Sequence, residues 1–242
     1  MTLKELQKIL TSIAPADREA MDRAKKRQAE LAKPPGSLGK LEDMSIRLAG
    51  ITGQVRNQLE SCRILVFAAD NGVIAEGVSS SPESVTLSQA VNMTRHITGM
   101  SALARYFGNS VVVADVGINA EVRCPAILNR KIRRSTRNLA KEPALTRQEV
   151  LDAMGVGLEL AGQAKEEGVQ AIGVGEMGIG NTTTSSAMGK TAPGSRMTPT
   201  GAPVTWGEDE HGAERPLLFG APSGWAVWRL QPGIQGASRQ HG

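Results

Sequence analysis

Short unbroken apolar runs alternate along this chain with longer stretches of helical spacing. Residues 3–32 place apolar positions at helical intervals interrupted near Pro15, which predicts two helices, with Asp17 as N-cap of the second. That second piece is charged almost throughout and keeps a narrow apolar stripe through Met21, Ala24 and Leu31. KPPGSLGKLE at 33–42 ends it: Pro34 pushes Lys33 out of the helical region, and Pro34-Pro35-Gly36 makes a stiff turn. Helical spacing resumes over Leu41–Ile51. Arg63–Asp70 holds a continuous apolar run, as expected of a strand in a parallel sheet, and leads directly into Asp70-Asn71-Gly72.

The alternation continues. Ser81 fits an N-cap and Pro82 a first helical position, predicting a helix to about Thr98 that carries Gln89, Asn92 and His96. Met100–Phe107 reads as a shorter helix, and Val111–Val116 as a second buried strand ending in the polar loop Asp115–Asn119. Thr146-x-x-Glu149 is a capping box opening a helix to about Glu167, with Val150, Met154, Leu158 and Ala161 as its expected core stripe. Val169–Val174 then predicts a third buried strand. Strands separated by helices point to an α/β protein with a mostly parallel sheet.

The chemistry concentrates after that last strand, in VQAIGVGEMGIGNTTTSSA at 169–187. Gly175, Gly178 and Gly180 surround one charged residue, Glu176, and Asn181 with Thr182 and its neighbours opens a helix whose side chains can cap free N–H groups. A strand, a glycine-rich loop and a helix start together suit an anion, because backbone amides approach it unhindered and the helix dipole favours it. The alternative is a tight strand-to-helix turn with no ligand. Asp70 and Asn71 form a second candidate site, since ligands of open α/β sheets gather at the carboxyl ends of strands; the alternative there is an Asn-Gly turn. Gly173, Gly175 and Gly178 also satisfy G-x-G-x-x-G, but no second strand with an acidic residue follows about 20 positions later, so dinucleotide binding is disfavoured.

Composition narrows the classes. At 242 residues the chain can bury one sizeable core with a small accessory lobe. A net charge of +4, few aromatics and no long basic block argue against nucleic acid. The segment from Arg130 to Lys141 is basic and reads as a solvated or phosphate-facing loop. No apolar run reaches the roughly 18–20 residues of a membrane span, and the N-terminus lacks a signal-peptide pattern. Cys62 and Cys124 match no metal pattern and are expected to be reduced thiols in a cytoplasmic protein. Beyond Met188 the character changes: all 3 tryptophans and half of the 12 prolines fall there, and no periodicity is sustained. This stretch is expected to be an aberrant, disordered tail, for example an out-of-frame translation.

Four blocks stand in a familiar order: KPPGSLGKLE at 33–42, AADNGVIAEGVSSSPESVT at 68–86, DVGINAE at 115–121 and GVGEMGIGNTTTSSA at 173–187. With them the chain resembles the nicotinate-nucleotide–dimethylbenzimidazole phosphoribosyltransferase family of cobalamin biosynthesis, continuously to about Ala187. The resemblance implies a Rossmann-like, mostly parallel sheet flanked by helices, with a small helical lobe. It divides the chain into an N-terminal helical lobe at 1–60, an α/β nucleotide-binding core at 61–188 and the tail at 189–242, with the C-terminal part of the fold truncated or replaced. It further implies a homodimer, no metal and no bound cofactor.

The implied reaction transfers phosphoribose from nicotinate mononucleotide to 5,6-dimethylbenzimidazole or a related base, giving α-ribazole 5′-phosphate and nicotinate. Glu176 matches a family glutamate beside the nucleotide, where a carboxylate stabilises positive charge on the ribose. Gly178, Gly180, Asn181 and Thr182 match the loop around it, and Ser81, Pro82 and Gln89 match the region lining the benzimidazole pocket. The family's general base is a glutamate in a C-terminal stretch like Arg-Leu-Gly-Glu-Gly-Ser-Gly, and its phosphate loop reads Thr-Gly-Arg-Gly; neither stands in this sequence. Three alternatives therefore remain: a catalytically dead remnant, a binding-only protein that holds the base, and a dinucleotide-dependent oxidoreductase.

Overall fold

A computed structural model describes residues 1–191, 196–197, 203–208 and 214–218, with side chains through residue 187. Three helices open the chain: α1 (Leu3–Thr11), α2 (Arg18–Glu30) and α3 (Lys40–Thr52). Asp17 caps α2 as expected, its Oδ1 accepting from the Ala20 amide at 2.9 Å. Ala20, Ala24 and Ala49 are the buried side chains between α2 and α3, so small residues bring these two helices close. Leu31 is left partly exposed at the C-cap. The KPPGSLGKLE segment is knit by Glu42, whose Oε1 takes both the Lys33 ammonium at 2.6 Å and the Leu38 amide at 3.1 Å.

The core is a sheet of four parallel strands in the order β3-β2-β1-β4, comprising β1 (Cys62–Ala69), β2 (Ser110–Gly117), β3 (Ile127–Asn129) and β4 (Ala171–Met177). The expected Rossmann-like, mostly parallel arrangement is present. Helices α4 (Val85–Thr94) and α5 (Gly99–Tyr106) cover one face. There Val66, Ala68, Val113, Ile127 and Ala90 pack together with Ile118. The long helix α6 (Arg147–Glu166) covers the other, with Val156 and Leu160 against Leu65 and Ala114. Its capping box forms as predicted, Thr146 Oγ1 accepting from the Glu149 amide at 3.2 Å.

Several expectations are corrected. The α4 helix begins at Val85 and ends at Thr94: Ser84, not Ser81, stands at its N-cap, without a side-chain bond, and Pro82–Thr86 forms turns first. At its far end His96 adopts φ 59°, which ends helical propagation well before Thr98. The α6 stripe is also different: Val150, Met154 and Leu158 are 40–45% exposed, whereas Leu151, Val156, Leu160 and Ala164 are buried. This helix is apolar around much of its circumference, so helical spacing fits two faces and only the sheet selects between them.

The strand at 169–174 runs from Ala171 to Met177 and is not buried. It lies at the sheet's edge beside β1 alone among the described residues, leaving Val174 76% exposed. The expected disordered tail lies mostly outside the described residues. Within it, three short backbone stretches, β5 (Arg196–Met197), β6 (Pro203–Glu208) and β7 (Glu214–Leu218), pair antiparallel. Helix α7 (Asn181–Thr191) follows β4.

Candidate active site at the carboxyl ends of the strands

In the parallel sheet, β1, β2 and β4 end on the same side, and their polar loops meet there. Asp70, just past β1, is 2% exposed. Its Oδ2 accepts from the Asn119 amide at 2.7 Å, joining the ends of β1 and β2. Burial pushes its carboxyl above the ordinary aspartate range, while the Asn119 amide and the Thr86 hydroxyl oppose that rise. Asp115, the counterpart on β2, is equally enclosed but differently served. It accepts from the Gly117 and Ile118 amides at 3.1 and 2.8 Å and pairs with Lys131 at 3.0 Å.

The glycine-rich loop after β4 lies directly on the end of β1. A Cβ at Gly178 would collide with the Ala69 carbonyl oxygen, and Gly180 has φ +86°, so both positions require glycine. Asn71 spans the junction: its Nδ2 donates to the Ile179 carbonyl at 3.1 Å, and its Oδ1 accepts from Thr184 Oγ1 at 3.1 Å. The Ile179 amide donates to Thr86 Oγ1 on α4 at 3.0 Å. Glu176 projects at the loop's mouth, its Oε1 accepting from Asn181 Nδ2 at 2.6 Å. Partial desolvation raises the Glu176 carboxyl above the usual glutamate range, with the Asn181 bond pulling the other way; the side chain keeps access to solvent.

The side chains at the start of α7 do not act as predicted. Asn181 turns back to Glu176 and Thr184 reaches across to Asn71, whereas the Asn181 amide is taken by the Gly178 carbonyl at 3.1 Å. The helix start is held by backbone and by the β1 junction instead of by its own hydroxyls. Gly173 and Gly175 lie inside β4, so the literal dinucleotide pattern does not shape a phosphate loop.

Asp70, Asn71, Glu176, Gly178, Gly180 and Asn181 thus converge. Thr182 follows on α7, its carbonyl accepting from Ser186 Oγ at 2.6 Å. Ser81 and Pro82 are exposed and stand outside this hydrogen-bond network, although Glu83 from the same turn accepts from Asn119 Nδ2 at 3.0 Å. Gln89 is half-buried on α4, three residues after Thr86 and therefore on the same helix face. Sequence reasoning missed Thr86, a threonine in the first turn of α4 that nothing in the pattern distinguishes. It had placed Asn119 only in a polar loop.

Most of the basic segment is committed to ion pairs. Arg130 pairs with Glu159 at 2.7 Å, Arg137 with Glu149 at 2.9 Å and Lys141 with Glu76 at 3.2 Å. It is a structural strap more than a phosphate-facing loop. No cluster of metal-ligating side chains occurs among the described residues.

A family model described as "Phosphoribosyltransferase" matches residues 13–206. The chain is similar to the nicotinate-nucleotide–dimethylbenzimidazole phosphoribosyltransferase of Ruminiclostridium cellulolyticum, 46% identical over 188 residues that make up 78% of this chain and 53% of that protein. The enzyme of the same name from Geobacter sulfurreducens is 43% identical over 189 residues, covering 78% of this chain and 53% of its own length. Among solved structures, CobT from Thermus thermophilus superposes with a TM-score of 0.67 at 40% identity, covering 70% of this chain and 51% of that one. The chain therefore spans about half the length of the curated relatives it matches.

Proposed function

The chain belongs to the nicotinate-nucleotide–dimethylbenzimidazole phosphoribosyltransferase family, and from that premise we propose that it takes part in phosphoribosyl transfer from nicotinate mononucleotide to 5,6-dimethylbenzimidazole or a related base. The observation that carries this reading is the loop from Glu176 to Asn181, pressed onto the end of β1 with a carboxylate at its mouth.

In the proposed reaction the bond from ribose C1′ to the pyridinium nitrogen breaks with its electron pair passing to the ring, so nicotinate leaves without needing a proton. Positive charge develops on the ribose, and Glu176 is positioned to stabilise it once ionised. An unprotonated benzimidazole nitrogen attacks C1′ from the opposite face, which inverts the anomeric centre. The other benzimidazole nitrogen then loses its proton to a general base. Gly178, Gly180, Asn181 and Thr182 hold the nucleotide, Asp70 and Asn71 shape the floor beneath it, and Ser81, Pro82 and Gln89 line the base side. We further read the chain as one subunit of a cytoplasmic homodimer. Among the described residues no helix is long and apolar enough to cross a membrane.

A second reading rests on one observation. The acidic residues after Glu176 are Glu208, Asp209, Glu210 and Glu214, and none lies in a Gly-Glu-Gly-Ser-Gly context. Without that base the chain binds nucleotide or benzimidazole and does not transfer. Incubation with both substrates, followed by chromatography for α-ribazole 5′-phosphate and nicotinate, separates the two. Equal release of both products supports transfer. Calorimetric binding of either substrate with no product supports the remnant, and neither binding nor product rejects both.

A further inference from the structure

Asn71 has a fixed backbone and a side chain that leaves its own segment. The Asp70 amide donates to the Gly117 carbonyl at 3.1 Å and the Gly72 amide to Thr136 Oγ1 at 3.0 Å, so the peptides on both sides of Asn71 are tied to neighbouring segments. Its own carbonyl accepts from the Ile74 amide at 3.0 Å. From this mount the buried side chain meets both glycines that the loop requires. A Cβ on Gly178 would stand 2.9 Å from Asn71 Nδ2, and one on Gly180 would stand 3.2 Å from Asn71 Cβ. The loop is therefore moulded on Asn71 as well as on the end of β1. The Ile179 carbonyl can only accept, so it fixes which end of the amide faces it: Nδ2 donates there at 3.1 Å, and Oδ1 turns to Thr184 Oγ1, also at 3.1 Å. The Thr184 hydroxyl stands 2.9 Å from the Asn181 carbonyl too, so its one proton is shared between Asn71 and the first residue of α7.

We propose that Asn71 is a positioning residue for the Glu176–Asn181 pair: its side-chain amide seats the Gly178–Gly180 loop at the end of β1 and ties that loop to the first turn of α7. This inference deepens the proposed reading of the same site and rests on it for the consequence in nucleotide binding; the seating role itself does not depend on it. Among side chains of this size only asparagine sets a donor and an acceptor side by side. Leucine offers neither, and aspartate offers two acceptors, one of which would face the Ile179 carbonyl. Glu176 Oε1 accepts from Asn181 Nδ2 across the loop, and the two contacts of Asn71, at Ile179 and Thr184, lie on either side of Asn181 in sequence. Releasing them frees the Asn181 end of the pair, so Glu176 loses its fixed partner.

The test uses the full chain without ligand and follows hydrogen exchange of the Ile179 and Asn181 amides by NMR, for wild type, Asn71→Asp, Thr184→Val and Thr184→Ser. Asn71→Asp keeps the shape and removes the donor, and exchange at both amides is expected to accelerate about tenfold while amides of β1 and β2 stay protected. Thr184→Val removes the second contact and is expected to accelerate them about threefold. Thr184→Ser restores the hydroxyl and should return exchange to within about twofold of wild type. Unchanged exchange in Asn71→Asp overturns the proposal, as does acceleration that spreads equally to β1 and β2, or acceleration in Thr184→Ser equal to that in Thr184→Val. Should Asn71→Asp fail to fold, the Thr184 pair decides alone. Nicotinate mononucleotide titrated calorimetrically into the same proteins provides the separate check on the site. Absence of binding to wild type would count against the proposed function and leave the exchange result standing.

Discussion

β1 and β4 are neighbours with similar sequences: each is a short apolar run that ends in a polar loop, and they pair in parallel register from Cys62–Ala171 to Ala68–Met177. Their surroundings are opposite. In β1, Leu65 is 3% exposed and Val66 2%, with helices on both faces and a strand on each side. Across the ladder, Val174 of β4 is 76% exposed. Among the described residues a covered central strand thus adjoins an exposed edge strand, and the candidate site sits at the seam. The covered side supplies Asp70, Asn71 and Thr86 as anchors, and the exposed side supplies the loop that carries Glu176. Apolar content alone does not make a strand interior; the number of neighbours does.

The seam is where this contrast breaks most easily. Gly178→Ala places a methyl group against the Ala69 carbonyl, so the loop must lift away from β1. We expect a loss of about 3 kcal/mol in chemical denaturation, together with loss of nucleotide binding in calorimetry. Unchanged stability would show that the loop does not rest on β1. Within the strands, Val66→Ala is expected to cost about 2 kcal/mol, because it empties space in the sealed core. Val174→Ala, in contrast, should stay within about 0.5 kcal/mol. Comparable losses at both positions in urea unfolding would mean that the flank is covered in solution.

The smallest effect belongs to the strap on α6. Arg137 and the Thr146 amide hold the Glu149 carboxyl down at about 2, against 4.5 for a free glutamate. The group's folded value is lowered, so its contribution to stability is present above pH 4.5 and is lost as pH falls through about 2. Glu149→Gln should flatten the acid side of the stability–pH curve between those values, because at pH 7 it removes the contribution of the half-buried Arg137–Glu149 pair, while stability below about pH 2 stays near that of wild type. An unchanged acid limb would place the acid sensitivity elsewhere.

Much of this architecture was legible from local signals. The Thr146 capping box, the Asp17 cap and the two apolar runs at 63–70 and 111–116 each act within a few residues, and each appears as expected. The failures are non-local. The face of α6 that packs was misassigned because Val150, Met154 and Leu158 satisfy helical spacing as well as Leu151, Val156 and Leu160 do. The helix start differs because no side chain caps it: Ser84 stands at the N-cap without a side-chain hydrogen bond, and turns closed by the Pro82 and Glu83 carbonyls precede it. At the site, Glu176 and its glycines stood out by composition, and the resemblance to a family supplied their meaning. Thr86 was invisible, since its role depends on Ile179, 93 positions away in sequence.

Calorimetric titration of nicotinate mononucleotide into wild type and Gly178→Ala tests the central claim most directly, namely that the loop held at the β1–β4 seam is a nucleotide site. The account predicts saturable one-to-one binding to wild type and none to the variant, with both proteins folded by circular dichroism. Absence of binding to wild type, or equal binding to both, would contradict it.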